Sequence, residues 1–312
     1  MKFYFAPLEG VAGHIYRRAY NTHFNEVDKY FAPFIVADRH DGFKTRDRED
    51  ILPENNPGMV LVPQILTNNA LDFRHTAQKI QRFGYSEINL NLGCPSGTVV
   101  SKRRGSGFLA FKDELQEFFD AIFAQPVTEI SVKTRLGKEE PEEIHELMAI
   151  YNQYPIKELI IHPRTQKDLY KNTPNWDMFR AALASSKNPV CYNGDICTVE
   201  DYYNLTEAFP DVDTIMIGRG LLMNPNLVGF IKSQKKMDKE TLKKFHDQIF
   251  NDYRSVISGD KNVLFKMKEV SLYMKHAFVD PEKHAKKIRK ATTIKDYLEA
   301  VDRLFGEQEL MV

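Results

Sequence analysis

Glu87-Ile88-Asn89-Leu90-Asn91-Leu92-Gly93-Cys94-Pro95-Ser96-Gly97 reads as a short apolar strand stopped by a glycine, with a cysteine at the stop and a proline behind it. Gly93 can adopt backbone angles that other residues avoid, and Pro95 keeps Cys94 away from helical angles. The thiol is therefore presented at a fixed turn. A basic, glycine-punctuated segment, Ser101-Lys102-Arg103-Arg104-Gly105-Ser106-Gly107, follows at once and reads as a flexible loop. A rigid thiol beside a cationic loop suggests proton chemistry on a polyanionic substrate. The same cysteine also reads as a small buried hydrophobe at a strand end.

The strand-then-loop unit recurs along the chain. Strand-like runs stand at Phe3–Phe5, Tyr30–Val36, Met59–Ile65, Glu87–Leu92, Glu129–Lys133, Glu158–His162, Pro189–Tyr192 and Thr214–Ile217. Amphipathic stretches such as Leu71–Phe83, Glu114–Phe123, Glu142–Tyr154 and Asp177–Ala184 lie between them. His40–Pro57 is charged and ends in turn residues, which makes it the weak link in the alternation. Eight such units in roughly 235 residues predict an α/β fold, a (β/α)8 TIM barrel. A doubly wound open sheet is the alternative, but no glycine-rich dinucleotide fingerprint follows the first strand.

The pattern changes near Met237. Beyond it the strand candidates stop, and Thr241–Ile257, Val263–Phe278, Pro281–Lys290 and Ile294–Phe305 read as helices. The expected organisation is a barrel over 1–237 and a small all-α domain over 238–312. Between Lys261 and Lys295 ten lysines and arginines, Lys283, Lys286, Lys287 and Lys290 among them, face three acidic residues. Such a surface is either a solvated helix face or a nucleic-acid contact.

Composition narrows the class. The chain has 312 residues, with 43 Lys+Arg against 43 Asp+Glu, so no global attraction to polyanions follows. Three cysteines make no disulfide scaffold, fit a reducing cytosol, and lack metal-binding spacing. The N-terminal apolar run is too short for a signal peptide and no window reaches membrane-spanning length. A cytoplasmic protein with no metal and no membrane contact, acting as a monomer, is expected.

In a (β/α)8 barrel the chemistry gathers at the C-terminal ends of the strands. The exits here offer Pro7-Leu8-Glu9-Gly10, Gln64, Asn91 with Cys94, Lys133 with Arg135, His162 with Arg164, Asn193-Gly194-Asp195 and Gly218-Arg219-Gly220. The last two are glycine turns after the seventh and eighth strands, where many barrels bind phosphate. Arg219 adds a planar cationic donor. Gln64 and Asn91 offer amides to a heterocycle edge, and Lys133 could stabilise electron density on it. The set suits flavin mononucleotide. Taken singly, Asn-Gly is a common turn and Lys133 a candidate barrel-layer lysine paired with an acid.

Taken in order, these pieces resemble the tRNA-dihydrouridine synthase family. The matching segments are Ala6–Val11, Gln64, Asn91-Leu92-Gly93-Cys94-Pro95, Gly105-Ser106-Gly107, Val132-Lys133-Thr134-Arg135, His162-Pro163-Arg164-Thr165, Asn193-Gly194-Asp195-Ile196 and Ile217-Gly218-Arg219-Gly220. The resemblance implies FMN in the barrel, NADPH as reductant, tRNA as partner and a C-terminal domain that helps hold it. It implies that Cys94 donates a proton to C5 of uracil while hydride reaches C6. It assigns Pro7, Leu8, Glu9, Gln64, Asn91, Lys133, His162, Asn193, Gly194, Asp195, Gly218 and Arg219 to the cofactor. Lys102, Arg103, Arg104 and the four tail lysines are left for the RNA, while Arg135 and Arg164, at the same mouth, stay open between RNA and cofactor. The opening motif departs from the family by having Leu8 for Met and Ala12-Gly13 for Thr-Asp. A dihydroorotate-oxidising type of flavoenzyme, a ribosomal-RNA enzyme and a non-catalytic RNA binder are the rival readings.

Overall fold

The computed structural model describes residues 1–311. Its strands are β1 (Lys2–Phe5), β2 (Lys29–Phe31 and Ile35–Val36), β3 (Leu61–Val62 and Gln64–Leu66), β4 (Glu87–Leu92), β5 (Glu129–Gly137), β6 (Leu159–Thr165), β7 (Val190–Tyr192) and β8 (Thr214–Ile217). Each pairs with the next in parallel, and β8 returns to β1 with Lys2 opposite Thr214. The two pieces of β2 pair with the two pieces of β3, Tyr30 opposite Leu61 and Ile35 opposite Ile65. Both breaks contain a proline, Pro33 and Pro63, which has no N–H to give to the ladder. The ten segments are thus eight strands, and they close into a barrel.

Alternation along β1 shows the layering. Tyr4 and Ala6 point into the barrel with Phe31, Ile160, Cys191 and Met216. Phe3 and Phe5 point outward into the core under the helices. At the closed end Lys29 pairs with Glu87 at 2.9 Å, and Tyr4 donates to Glu158 at 3.0 Å. This plugs the barrel floor and leaves only the opposite end open.

The helices that follow the strands are α1 (His14–His23), α2 (Thr45–Ile51), α3 (Ala70–Gln81), α4 (Gly97–Val100), α5 (Lys112–Ala124), α6 (Ile144–Tyr151), α7 (Trp176–Ser185), α8 (Val199–Ala208), α9 (Arg219–Met223) and α10 (Leu227–Ser233). Asn69, Asn175 and Thr198 cap α3, α7 and α8 by accepting from the third backbone N–H of each helix. α2 lies inside the charged stretch that had read as the weak link. β5 and β6 run past their expected ends, to Gly137 and Thr165, with a register shift between Arg135 and Gly137.

Behind a cap from Asp238 comes α11 (Lys239–Val256), then α12 (Asp260–Met274), α13 (Glu282–Lys290) and α14 (Ile294–Glu307). Phe245 of α11 lies edge-on to Tyr16 of α1 and to Phe24 just after it, with ring centroids 5.3 Å apart in both pairs. The helical region is docked by aromatic packing on the first barrel helix. No helix among the described residues is long and apolar enough to cross a membrane.

Candidate active site

The open end of the barrel holds a cavity of about 230 Å³ lined by Leu8, Glu9, Asn91, Cys94, Lys133 and His162. Pro7 and Arg135 also line it, and so do residues the sequence did not single out, Tyr170 and Tyr273 among them. Tyr273 comes from α12, so the helical region supplies part of the mouth. Neither tyrosine belongs to a strand exit, and neither follows a period that would mark it. Only the tertiary packing of the β6–α7 loop and of α12 brings them there.

Cys94 is held from both sides. Its N–H donates to Asn91 Oδ1 at 2.9 Å, and its carbonyl accepts from Ser106 N–H and Oγ. Burial raises the thiol above its ordinary range, so it stays protonated at neutral pH. The segment expected to be a flexible loop is tightly folded. Ser101–Arg103 form a turn directly after α4, and Gly105, Ser106 and Gly107 are buried in a 3-10 turn behind the cysteine. A Cβ on Gly105 would lie 2.7 Å from the Cys94 carbonyl oxygen, and Gly105 sits at φ +56°. These glycines permit close packing rather than motion. Lys102 and Arg103 are exposed at the rim, where Arg103 lies over Phe111 and 3.3 Å from Glu114. Arg104 is half-buried.

Gln64 and Asn91 are turned onto each other. Asn91 Nδ2 donates to Gln64 Oε1 and Gln64 Nε2 donates to Asn89 Oδ1, each at 2.7 Å. This amide ladder, not contact with open space, is what Gln64 makes: it is fully buried. Its effect is to fix Asn91, whose other end fixes the cysteine turn.

Lys133 has no carboxylate within ion-pair distance among the described residues. Burial, and then repulsion from Arg135, brings its ammonium down to about 8. A cation at the bottom of a cavity without a protein partner is a place for an anionic or electron-rich ligand. Beside it, burial and the charges of Arg135 and Lys133 hold His162 well below its ordinary value. Arg164 donates to His162 Nε2 at 3.1 Å, so that nitrogen accepts and the neutral ring carries its proton on Nδ1.

The two arginines that sequence left ambiguous are occupied inside the protein. Arg135 donates to the carbonyls of Gly93, Thr165 and Leu169 at 2.8 to 2.9 Å, tying the cysteine turn to the loop that carries Tyr170. Arg164 makes a bidentate pair with Asp195. Arg219 bonds the same carboxylate at 2.6 Å. Burial opposes ionisation of Asp195, but the hydrogen bonds and charge of Arg164, then of Arg219, outweigh it and hold the carboxyl below its usual range. Tyr170 lies between two guanidinium groups, 5.2 Å from Arg135 and 5.0 Å from Arg219.

The glycine turns after β7 and β8 pack on each other. A Cβ on Gly220 would lie 2.1 Å from the Ile196 carbonyl, and one on Gly194 would meet the Tyr192 hydroxyl at the same distance. Among the described residues the N–H groups of Gly194, Asp195 and Gly218 donate to no protein atom. Asn193 is anchored through Nδ2 to the Met216 carbonyl. Three N–H groups without a protein acceptor thus stand at these two turns near Arg219, outside the lining of the mouth cavity, and offer the kind of donors a phosphate ester takes. No group of three or more His, Cys, Asp or Glu among the described residues is placed to hold a metal ion.

Of the ten tail cations, Lys266, Lys268, Lys275 and Lys295 are engaged, with the Gly10 carbonyl, the Ala291 carbonyl, Glu282 and Glu299 in turn. Lys283, Lys286, Lys287 and Lys290 are exposed on α13 and make no ion pair among the described residues.

Comparison with known proteins gives the site its context. The family model described as Dihydrouridine synthase (Dus) matches residues 4–311. A probable tRNA-dihydrouridine synthase of Staphylococcus aureus (strain Mu50 / ATCC 700699) is 30% identical over 263 residues, covering 80% of this chain and 78% of that protein. A tRNA-dihydrouridine(16) synthase of Pseudomonas syringae pv. tomato is 29% identical over 244 residues, 76% of either chain. Among solved structures, morphinone reductase superposes with a TM-score of 0.52 at 11% identity, covering 78% of this chain and 88% of its own. The structure titled TcOYE with pHBA gives 0.54 at 10%, covering 81% and 95%. These two share the fold.

Proposed function

The chain belongs to the dihydrouridine synthase family, flavin-dependent enzymes that reduce uridine in tRNA, and we propose that it does so with FMN at the barrel mouth, NADPH as reductant and Cys94 as proton donor. The two turns with Gly194, Asp195, Gly218 and Arg219 would hold the phosphate, and Lys133 and His162 the ring end, with Pro7, Leu8 and Glu9 closing the side. When bound, the flavin supplies the hydride that C6 of the uracil receives.

The chain's own residues do the rest. Reduction of the C5=C6 bond leaves electron density on C5, conjugated to the C4 carbonyl, and a proton must reach C5. Cys94 holds that proton on Sγ, because burial disfavours the thiolate. Its turn is fixed by Asn91 and Ser106, so the donor is oriented before substrate arrives. Tyr170 and Tyr273 narrow the mouth and exclude water around the inserted base. The base itself must be turned out of the RNA stack to enter. The tail lysines on α13 supply RNA affinity without chemistry. Arg135 and Arg164 serve the site by holding its loops together.

The observation that carries this reading is the pairing, in one cavity, of a protonated thiol on a rigid turn with a partnerless lysine. The test is direct. The purified chain with FMN and NADPH should convert uridine to dihydrouridine in tRNA lacking the modification, read by nucleoside mass spectrometry. Equal conversion of free uridine, or none of tRNA, would favour the small-molecule flavoenzyme instead.

A further inference from the structure

Beside the mouth lies a larger cavity, about 610 Å³, that the reaction described above does not use. Its walls include Gly10 and Gly13 of the loop after β1, the start of α1, Thr45 and Glu49 of α2, Tyr253 and Val256 of α11, and Lys266 of α12. The loop Leu8–Gly13 is a shared partition. Leu8, Glu9 and Val11 face the mouth, while Gly10 and Gly13 face the second cavity.

The partition is kept bare by its glycines. Gly13 caps α1 without a side chain, and Asp50 supplies the missing acceptor to His14 N–H at 2.7 Å. A Cβ on Gly13 would stand 3.0 Å from Asp50 Oδ1, and Gly10 holds φ +87°. Peptide faces therefore form this wall, opposite the apolar side chains of α11. Two cations stand on the partition itself. Arg46 bonds Glu9 at 2.5 Å, and Lys266 donates to the Gly10 carbonyl at 2.7 Å.

We propose that this cavity is a second nucleobase site, which takes a base adjacent to the target uridine while the phosphodiester between them crosses the partition at Arg46 and Lys266. The proposal rests on the reading of the mouth as the uridine site. Flat apolar walls suit a stacked ring, and Thr45 and Glu49 at the rim suit its polar edge. The carboxylates of Glu49 and Asp50 would repel a phosphate inside, so the charged linkage stays on the partition and the neutral base goes in. The apolar cavity is thereby set apart from the reaction site by one short loop only.

Two fillers from opposite walls test this, Thr45→Trp and Val256→Trp. Both positions are exposed, Val256 at 62%, so either variant alone decides if the other fails to fold. Each should weaken affinity for substrate tRNA about tenfold or more, the loss of one stacked base. Flavin content, flavin reduction by NADPH and the rate at saturating tRNA should not change. A tRNA with an abasic residue beside the target should bind the wild type more weakly by a similar factor and the variants no more weakly still. Unchanged tRNA affinity in the fillers overturns the proposal, as does an abasic penalty that adds in full to theirs. A raised KM for NADPH with unchanged tRNA affinity also overturns it and gives the cavity to the dinucleotide. If wild type forms no dihydrouridine in tRNA, the functional reading itself has failed, a separate outcome.

Discussion

Lys133→Met should make the flavin-free protein more stable at neutral pH. The Lys133 ammonium is half-buried in the cavity wall, with no acid beside it and with Arg135 repelling it. Folding lowers its value from 10.5 to about 8, so the folded state binds that proton less tightly than the unfolded chain does. The penalty is therefore complete below pH 8, shrinks as pH rises from 8 to 10.5, and is gone above. At about 1.36 kcal/mol per pH unit the gap amounts to about 3 kcal/mol. Methionine keeps the stem's packing and removes the charge. Thermal or urea unfolding of flavin-free wild type and variant at pH 7 and near pH 10 measures the difference. The variant should lead by a few kcal/mol at pH 7 and the lead should largely close at pH 10, while flavin retention is lost. A variant that is less stable at pH 7, or a lead independent of pH, refutes the reasoning.

Gly220→Ala places a methyl 2.1 Å from the Ile196 carbonyl, so one of the two glycine turns must move; about 1–3 kcal/mol of stability should be lost, along with flavin retention, by thermal unfolding and flavin absorbance. Exchanging Lys283, Lys286, Lys287 and Lys290 together for Gln should reduce the slope of log tRNA affinity against log salt by about 0.9 for each phosphate contact removed, leaving flavin content unchanged. An unmoved slope would make α13 a solvated face.

The barrel was legible because its strands are bounded by turn chemistry that does not depend on distant contacts. Glu87–Leu92 and Thr214–Ile217 fall where their apolar runs begin and end. The breaks in β2 and β3 follow from Pro33 and Pro63, but which ladder bonds they interrupt depends on the neighbouring strand. The exits that line the mouth were legible for the same reason, since a strand's end fixes where its next residue points. What each side chain bonds was not. Asp195 gathers Arg164 and Arg219 from two other exits, and Arg135 reaches carbonyls at the ends of β4 and β6, pairings set only when the barrel closes. Gly105 and Gly107 show the limit most plainly. In sequence a glycine that lets a loop move and one that lets two backbones touch look the same. Tyr273 lies in a tail whose local pattern reports only helix, so its place in the mouth comes from the docking of α11 on α1.

The central claim is that Cys94 gives the proton to C5, and one rapid-mixing experiment reaches it. Cys94→Ala with FMN bound is reduced by NADPH without oxygen and then mixed with tRNA lacking dihydrouridine, while the flavin band is followed. Positioned acid catalysis is worth about 10²–10⁴-fold. The account predicts reduction by NADPH at the wild-type rate and reoxidation by tRNA slowed by that factor. Reoxidation by tRNA at the wild-type rate would contradict it and leave Cys94 as a turn residue only.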